Sequence, residues 1–167
     1  MLMRLFSVCF SLILCLTISS CGARESAGTD EILADIMEYC DGLPQGVIYT
    51  SGADEGEEGY LSPALAEALW GDDACEGFSM LEEYSVYLSS FATPYEIGVY
   101  RCYSSTDARR IEELCRARAD IVSVALRKTE YYALCQNIRI CRRGREVVFL
   151  MTDSPEDTLR LAKRLIS

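Results

Sequence analysis

Histidine is absent from the chain's 167 residues, and this absence excludes several kinds of catalytic site. Serine and cysteine triads, and most catalytic zinc centres, need an imidazole as a base or a ligand. Lysine occurs only at Lys128 and Lys163, and neither follows a serine at the spacing that serine–lysine enzymes use. Cys-x-x-Cys, Gly-x-Gly-x-x-Gly and phosphate-loop motifs are missing as well. We therefore predict no catalytic residue, no cofactor and no metal site.

The longest apolar run lies at the N-terminus and is shorter than the roughly 20 residues that a bilayer-spanning helix requires. Arg4 precedes it, residues 5–18 form it, and Ser19-Ser20-Cys21 follows it. A positive start, an apolar centre and small residues before a cysteine are typical of a bacterial lipoprotein signal. An uncleaved membrane helix is the less favoured alternative. We predict a signal peptide over residues 1–20 and lipidation of Cys21, which anchors the protein at the extracytoplasmic face of the cell membrane.

The segment after the predicted cleavage point is small and polar, with Gly, Ala, Ser and Thr around Arg24 and Glu25. Such a composition is typical of a flexible linker. We predict a lipidated tether over residues 21–29 and a single domain over residues 30–167. Half of the whole chain's residues are apolar, which is enough for a real hydrophobic core.

Negative charge dominates, with a formal net charge of -10 that becomes -11 once Arg4 is removed with the signal. Residues 21–100 contain seventeen acidic residues and one basic, a net of -16, whereas residues 101–167 contain fourteen basic and nine acidic, a net of +5. Nucleic acid is excluded as a partner because it is bound chiefly through lysine and arginine on phosphates. Two explanations of the asymmetry stay open: the halves neutralise each other, or the first half presents an acidic binding face.

Six cysteines remain after Cys21, and an even number outside the cytoplasm permits disulfides. We predict at most one or two bridges. Cys115 falls on the apolar stripe of a predicted helix and is expected to pack as a small apolar residue. The candidates for bridging are the other five: Cys40, Cys75, Cys102, Cys135 and Cys141.

Apolar periodicity and capping residues predict a small α+β domain, with an antiparallel sheet of about four to five strands and helices packed on one face. Helices are predicted over residues 29–39, from Ser62-Pro63, from a Thr106 cap, and over residues 154–166. Strands are predicted over residues 47–50, 83–89, 95–103, 138–141 and 146–151, the last four as two hairpins.

Three groups of side chains are candidates for a binding or catalytic site. The acidic loop over residues 54–59 lacks ligands at two positions that a calcium loop needs, so a solvated loop is favoured. Glu82-Glu83 and Glu112-Glu113 are neighbours of the kind expected by chance in an acidic chain. The tyrosines of the first hairpin are favoured as half-buried core over a sugar-binding or peptide-binding face. These tyrosines are Tyr84, Tyr87, Tyr95, Tyr100 and Tyr103.

The chain resembles an uncharacterised lipoprotein family of clostridial-type Gram-positive bacteria, the domain-of-unknown-function family 4358. The resemblance rests on the lipobox ending in Cys21, on the strand-to-helix passage over residues 96–114, and on the ending over residues 138–166. Cys115-Arg116-Ala117-Arg118 and Gly144 fit best, whereas the cysteine count departs from the family. The resemblance implies location and fold, and it carries over no functional residue.

The sequence therefore predicts a membrane-anchored lipoprotein with a non-enzymatic binding domain for an unknown protein, peptide or cell-wall component. The alternative is an enzyme that uses carboxylates on envelope glycans. A concave cleft with two inward carboxyls and surrounding tyrosines would favour the enzyme. A flat helix face or an exposed sheet edge would favour the binding protein.

Overall fold

The computed structural model describes residues 27–90 and 93–166. Cys21, the predicted signal peptide and most of the predicted tether lie outside the described residues. Within these ranges the chain forms one five-stranded antiparallel sheet with strand order β1-β2-β3-β5-β4. The strands are β1 Gly46–Thr50, β2 Leu81–Ser89, β3 Glu96–Cys102, β4 Arg139–Arg143 and β5 Glu146–Met151. The helices are α1 Thr29–Tyr39, α2 Pro63–Trp70, α3 Ala74–Phe78, α4 Ser105–Leu126, α5 Tyr132–Gln136 and α6 Pro155–Leu165.

The predicted α+β class and the antiparallel sheet are confirmed. Two five-residue helices, α3 and α5, were not predicted, because one helical turn and a half is too short to reveal a period of 3.6 residues. The predicted cap of α4 lies two residues too late. Ser104, not Thr106, has the extended backbone of a cap, and its Oγ accepts a hydrogen bond of 3.1 Å from the Asp107 N–H.

The helices pack on both faces of the sheet, so the prediction of a single covered face is wrong. Alternate residues of the two central strands enter two separate hydrophobic cores, with Val99 and Val148 in one and Tyr100 and Phe149 in the other. Helices α1 and α6 cover the first core, which we call the α1 face, and α2 to α5 cover the second, which we call the α4 face. Every residue of β3 and β5 is consequently buried.

Arg101 joins three strands on the α1 face. Its side chain is 10% exposed and donates hydrogen bonds of 2.8 Å to Glu83 on β2 and 2.8 Å to Glu146 on β5, and a further bond to the Ala27 carbonyl. Glu83, Arg101 and Glu146 are cross-strand neighbours in the sheet register. The arginine thus compensates two carboxylates that the sheet would otherwise hold close together with no cation between them.

The charge asymmetry of the two halves is partly neutralised inside the fold. Four ion pairs between described residues join an acid before residue 101 to an arginine from the second half. These pairs are Glu83–Arg101, Asp73–Arg110, Glu96–Arg118 and Glu82–Arg145. The acids of α1 and of the 51–59 loop stay exposed, so an acidic surface remains.

Candidate functional site

A groove of about 580 Å³ opens on the α4 face, between the β1–β2 edge of the sheet, helix α2 and the C-terminal half of α4. Its walls are mainly aliphatic and aromatic, and its volume is typical of small-molecule sites. The apolar lining consists of Val47, Tyr49, Leu65, Leu69, Leu88, Ile121, Val122, Ala125, Leu126 and Met151.

The groove exists because apolar side chains at one end of the sheet remain only partly covered. Val47 on β1 lies opposite Leu88 in the register and points to the α4 face, yet it is 39% exposed. On α4 the last buried residue is Val122, and its neighbour Ile121, which also lines the groove, is 44% exposed. Exposed apolar side chains on two facing elements are typical of a surface that contacts a ligand or a partner.

A buried ion pair lies at the groove. Glu96, the first residue of β3, is 1% exposed, and Arg118 reaches it from α4. Both contacts go to the same oxygen, since Oε2 accepts from Nε at 3.0 Å and lies 2.9 Å from Nη2. Arg118 also donates from Nη1 to the Leu69 carbonyl at 2.9 Å, and its guanidinium lies 6.0 Å from the Trp70 ring centroid. The arginine is therefore fixed in position on three sides.

The other carboxylate oxygen of Glu96, Oε1, has no hydrogen-bond partner among the described residues. Burial raises the pKa of Glu96, and the attraction of Arg118 opposes that shift only in part. A buried acceptor with no donor is costly, because the folded protein gives up its hydration without replacing it. Glu96 lines the groove, with one oxygen satisfied by Arg118 and one buried oxygen without a donor, which we call the open oxygen.

Further polar atoms without partners accompany Glu96. The hydroxyls of Thr93, Tyr100 and Thr152 are buried and have no hydrogen-bond partner among the described residues. Thr93 lines the groove, whereas Tyr100 lies beside Glu96 on the same face of β3. Burial raises the pKa of Tyr100 well above its ordinary value, with added contributions from Cys115 and Glu96. Thr93 and Glu96 thus place two unsatisfied polar atoms in residues of the groove, whereas Thr152 lines a separate pocket with Cys40 and Asp157.

Three tyrosines, Tyr49, Tyr95 and Tyr131, contribute to the groove lining. The Tyr95 hydroxyl donates a hydrogen bond to Asp153, which raises the pKa of Tyr95 to about 12. That bond fixes the orientation of the ring at the groove. Tyr95 is the member of the predicted tyrosine group that contributes to this site. Tyr84 is half-buried, Tyr87 and Tyr100 are buried on opposite faces of the sheet, and Tyr103 is 63% exposed.

The six cysteines of the described residues are free thiols, so no bridge joins the candidates Cys40, Cys75, Cys102, Cys135 and Cys141 in this part of the chain. Cys102 and Cys141 lie on β3 and β4, with β5 between them, and they enter opposite cores. Two strand spacings separate their backbones by about 9.5 Å, beyond the roughly 7 Å that a disulfide allows. Cys40 is half-buried, with Sγ 3.7 Å from the Thr158 hydroxyl. Cys75 is exposed, and Cys115 is packed in the core as predicted.

Burial also makes these thiols poor nucleophiles. It raises the pKa of Cys102 to about 12 and that of Cys141 to about 11, and it raises those of Cys115 and Cys135 as well. Reactive cysteines need the opposite, a lowered pKa and access to solvent. The buried cysteines therefore act as apolar core residues.

The neighbouring carboxylates singled out in the sequence are engaged in ion pairs away from the groove. Glu82 and Glu83 pair with Arg145 and Arg101, respectively. Glu113 pairs with Arg110. Glu112 accepts from both Arg142 and Arg116, and these hydrogen bonds lower its pKa. None of these carboxylates lines the groove.

The acidic 51–59 loop is exposed, and the described residues contain no group of three or more His, Cys, Asp or Glu that could hold a metal ion. None of the helices within residues 27–90 and 93–166 has the length and apolar character needed to cross a membrane.

Glu96 and Arg118 were not predicted as site residues. Glu96 opens a strand, a position at which a charged residue usually faces solvent, and Arg118 follows three other arginines on its helix. The sequence offered one signal. Side chains alternate between the two faces of a strand, so Glu96 shares its face with Tyr100 and Cys102, which are core residues. A charged residue at a strand position where the alternation predicts an apolar side chain is the pattern that indicates such a site.

A comparison of the chain with protein-family models, with curated proteins and with solved structures finds no match. The resemblance to an uncharacterised lipoprotein family stays a prediction.

Proposed function

We propose that this protein is a lipid-anchored binding protein of the extracytoplasmic membrane face, which holds a partly apolar ligand in the groove on its α4 face. The anchor is the lipid on Cys21, supported by the N-terminal sequence pattern. The groove supplies the binding site, and the open oxygen of Glu96 is the observation that carries the proposal.

The energetics of Glu96 favour a ligand. Leaving a buried acceptor without a donor costs about 1 to 3 kcal/mol, and more for a charged group. A glutamine or a leucine at residue 96 would avoid burying a carboxylate. Such uncompensated groups are characteristic of sites where function outweighs stability. A ligand that donates a hydrogen bond to Oε1 would recover the loss.

A binding function is supported over a glycan-cleaving enzyme by the number of carboxyls. Glycosidases place two carboxyl groups about 5 to 10 Å apart across the sugar. The described lining of the groove contains one carboxylate, Glu96, and Arg118 holds it in an ion pair. One carboxylate paired with an arginine suits recognition, in which its unpartnered oxygen accepts a hydrogen bond.

The anchor and the groove are tested separately. For the anchor, cells expressing the wild type or Cys21→Ala are grown with labelled palmitate, and we expect label in the wild-type protein only. Label that persists in Cys21→Ala would contradict the proposed lipidation site.

For the groove, full-length protein is placed in nanodiscs and titrated with benzyl alcohol, a small neutral probe with an apolar ring. Binding is followed by saturation-transfer NMR and by the fluorescence of Trp70, the chain's only tryptophan. Ile121→Arg is expected to abolish binding because residue 121 lines the groove, whereas Val124→Arg on the same helix is expected to retain it. Equal binding by wild type and Ile121→Arg would disprove the site.

A further inference from the structure

The charged side chains of the groove indicate which charge the ligand carries. The described lining contains two charged side chains, Glu96 and Arg118. Arg118 directs Nε and Nη2 at Glu96 Oε2 and Nη1 at the Leu69 carbonyl. An anionic ligand would therefore meet an arginine with three of its five N–H donors already engaged, and a carboxylate that repels the ligand. A donor, by contrast, would satisfy Oε1, a buried acceptor that has no partner among the described residues.

The rest of the lining favours a positive donor over a neutral one. Three of the lining residues are the tyrosines Tyr49, Tyr95 and Tyr131, and aromatic rings attract ammonium groups through their quadrupoles. Hydrogen bonds to ionised partners are about twice as strong as neutral ones, and the burial of Glu96 strengthens them further. The net charge of -10 also attracts cations toward the protein as a whole.

We infer that the groove selects amphipathic amines, which are molecules with an apolar body and one ammonium group, and that Glu96 Oε1 is the acceptor of the ammonium N–H. This inference rests on the proposed function and specifies its ligand. The body of the ligand contacts the aliphatic walls formed by Leu65, Leu69, Leu88 and Ile121. The ammonium group lies at the Glu96 end, where it also compensates the carboxylate's lost hydration.

The experiment compares three probes of nearly equal shape, benzylamine, benzyl alcohol and benzoate, on the full-length protein in nanodiscs, with empty nanodiscs as the blank. The wild type is expected to bind benzylamine roughly tenfold more tightly than benzyl alcohol, and benzoate most weakly. Glu96→Gln should reduce the preference for the amine over the alcohol to less than about twofold, because the amide oxygen carries no charge. Glu112→Gln is the matched control, since Glu112 is an ion-paired carboxylate outside the groove, and it should keep the full preference.

The outcomes separate the two proposals. Equal affinities of the wild type for benzylamine and benzyl alcohol would overturn the selectivity and leave the binding groove standing. An amine preference that survives in Glu96→Gln would also overturn it. If the wild type binds none of the three probes, the proposed function fails as well. Should Glu96→Gln not fold, the comparison of the three probes on the wild type decides the selectivity alone.

Discussion

Tyr100 lies across Gly98 on β3. A Cβ atom placed at residue 98 would lie 2.6 Å from both Cε2 and Cζ of the Tyr100 ring, closer than real Cβ atoms come to a neighbour. The two residues share the α4 face with Glu96, which lies two positions before Gly98 on the strand. The missing side chain of Gly98 therefore makes room for the ring and sets where the tyrosine hydroxyl lies relative to the groove.

Gly98→Ala is expected to destabilise the protein by about 1 to 3 kcal/mol, because the added methyl must displace a fully packed ring. The free energy of unfolding is measured by urea denaturation. Gly52→Ala is the control, since the nearest atom to a Cβ there is 4.0 Å away, and it should change stability by less than about 0.5 kcal/mol. Equal effects of the two substitutions would contradict the packing of Tyr100 over Gly98.

Tyr100→Phe is expected to leave stability unchanged or to raise it by up to about 1 kcal/mol, because it removes a buried hydroxyl that has no partner among the described residues. Tyr87→Phe is the matched comparison, because the Tyr87 hydroxyl is bonded to the Pro44 carbonyl. That variant should lose about 1 kcal/mol. Urea unfolding of the two variants side by side gives the difference, and a larger loss for Tyr100→Phe would show that its hydroxyl has a partner.

Arg101→Ala is expected to cost about 3 to 5 kcal/mol, since it leaves Glu146 and Glu83 without the cation that bridges them. Arg160→Ala removes an exposed partner of Asp157 and should cost about 0 to 1 kcal/mol. Thermal unfolding at neutral pH compares the two. A loss below about 1 kcal/mol for Arg101→Ala would contradict a stabilising role for the three-strand cluster.

The buried thiols predict a loss of stability at alkaline pH. The pKa of Cys102 is about 12 in the folded protein against an ordinary 9.0, and that of Cys141 is about 11. Between these values the folded state keeps protons that the unfolded chain has released, so the free energy of unfolding falls as pH rises from about 9. Urea unfolding between pH 8 and about 11 measures the slope, and Cys102→Ala should flatten it. Identical slopes for wild type and variant would contradict the burial of this thiol.

Much of the fold was predictable because its signals are local. Ser62-Pro63 marks the start of α2, and the turns around Thr93-Pro94 and Gly144 separate paired strands, since capping and turn chemistry depend on neighbouring residues. The covering of both sheet faces was missed. The run Glu146–Met151 is almost wholly apolar, which indicates a strand buried on both sides. The prediction nevertheless placed helices on only one face of the sheet, so that nothing covered the other face of this strand.

The site was less predictable because it depends on tertiary contacts. Glu96 and Arg118 belong to a strand and a helix and are 22 positions apart, so no local spacing relates them. A count of charged residues does not distinguish Glu96 from the other acidic residues of the first half. Only the packing of α4 against the sheet distinguishes a buried carboxylate with one open oxygen from a solvated one.

The hydrogen bond from Arg101 to the Ala27 carbonyl would orient the protein on the membrane if Cys21 carries the proposed lipid. It attaches the beginning of the described chain to the α1 face, whereas the groove opens on the opposite face of the sheet. With Cys21 as the anchor, the six residues that follow it up to Ala27 extend at most about 20 Å. We therefore expect the α1 face to stand toward the lipid headgroups and the groove to open outward, where ligands arriving from outside the cell reach it first.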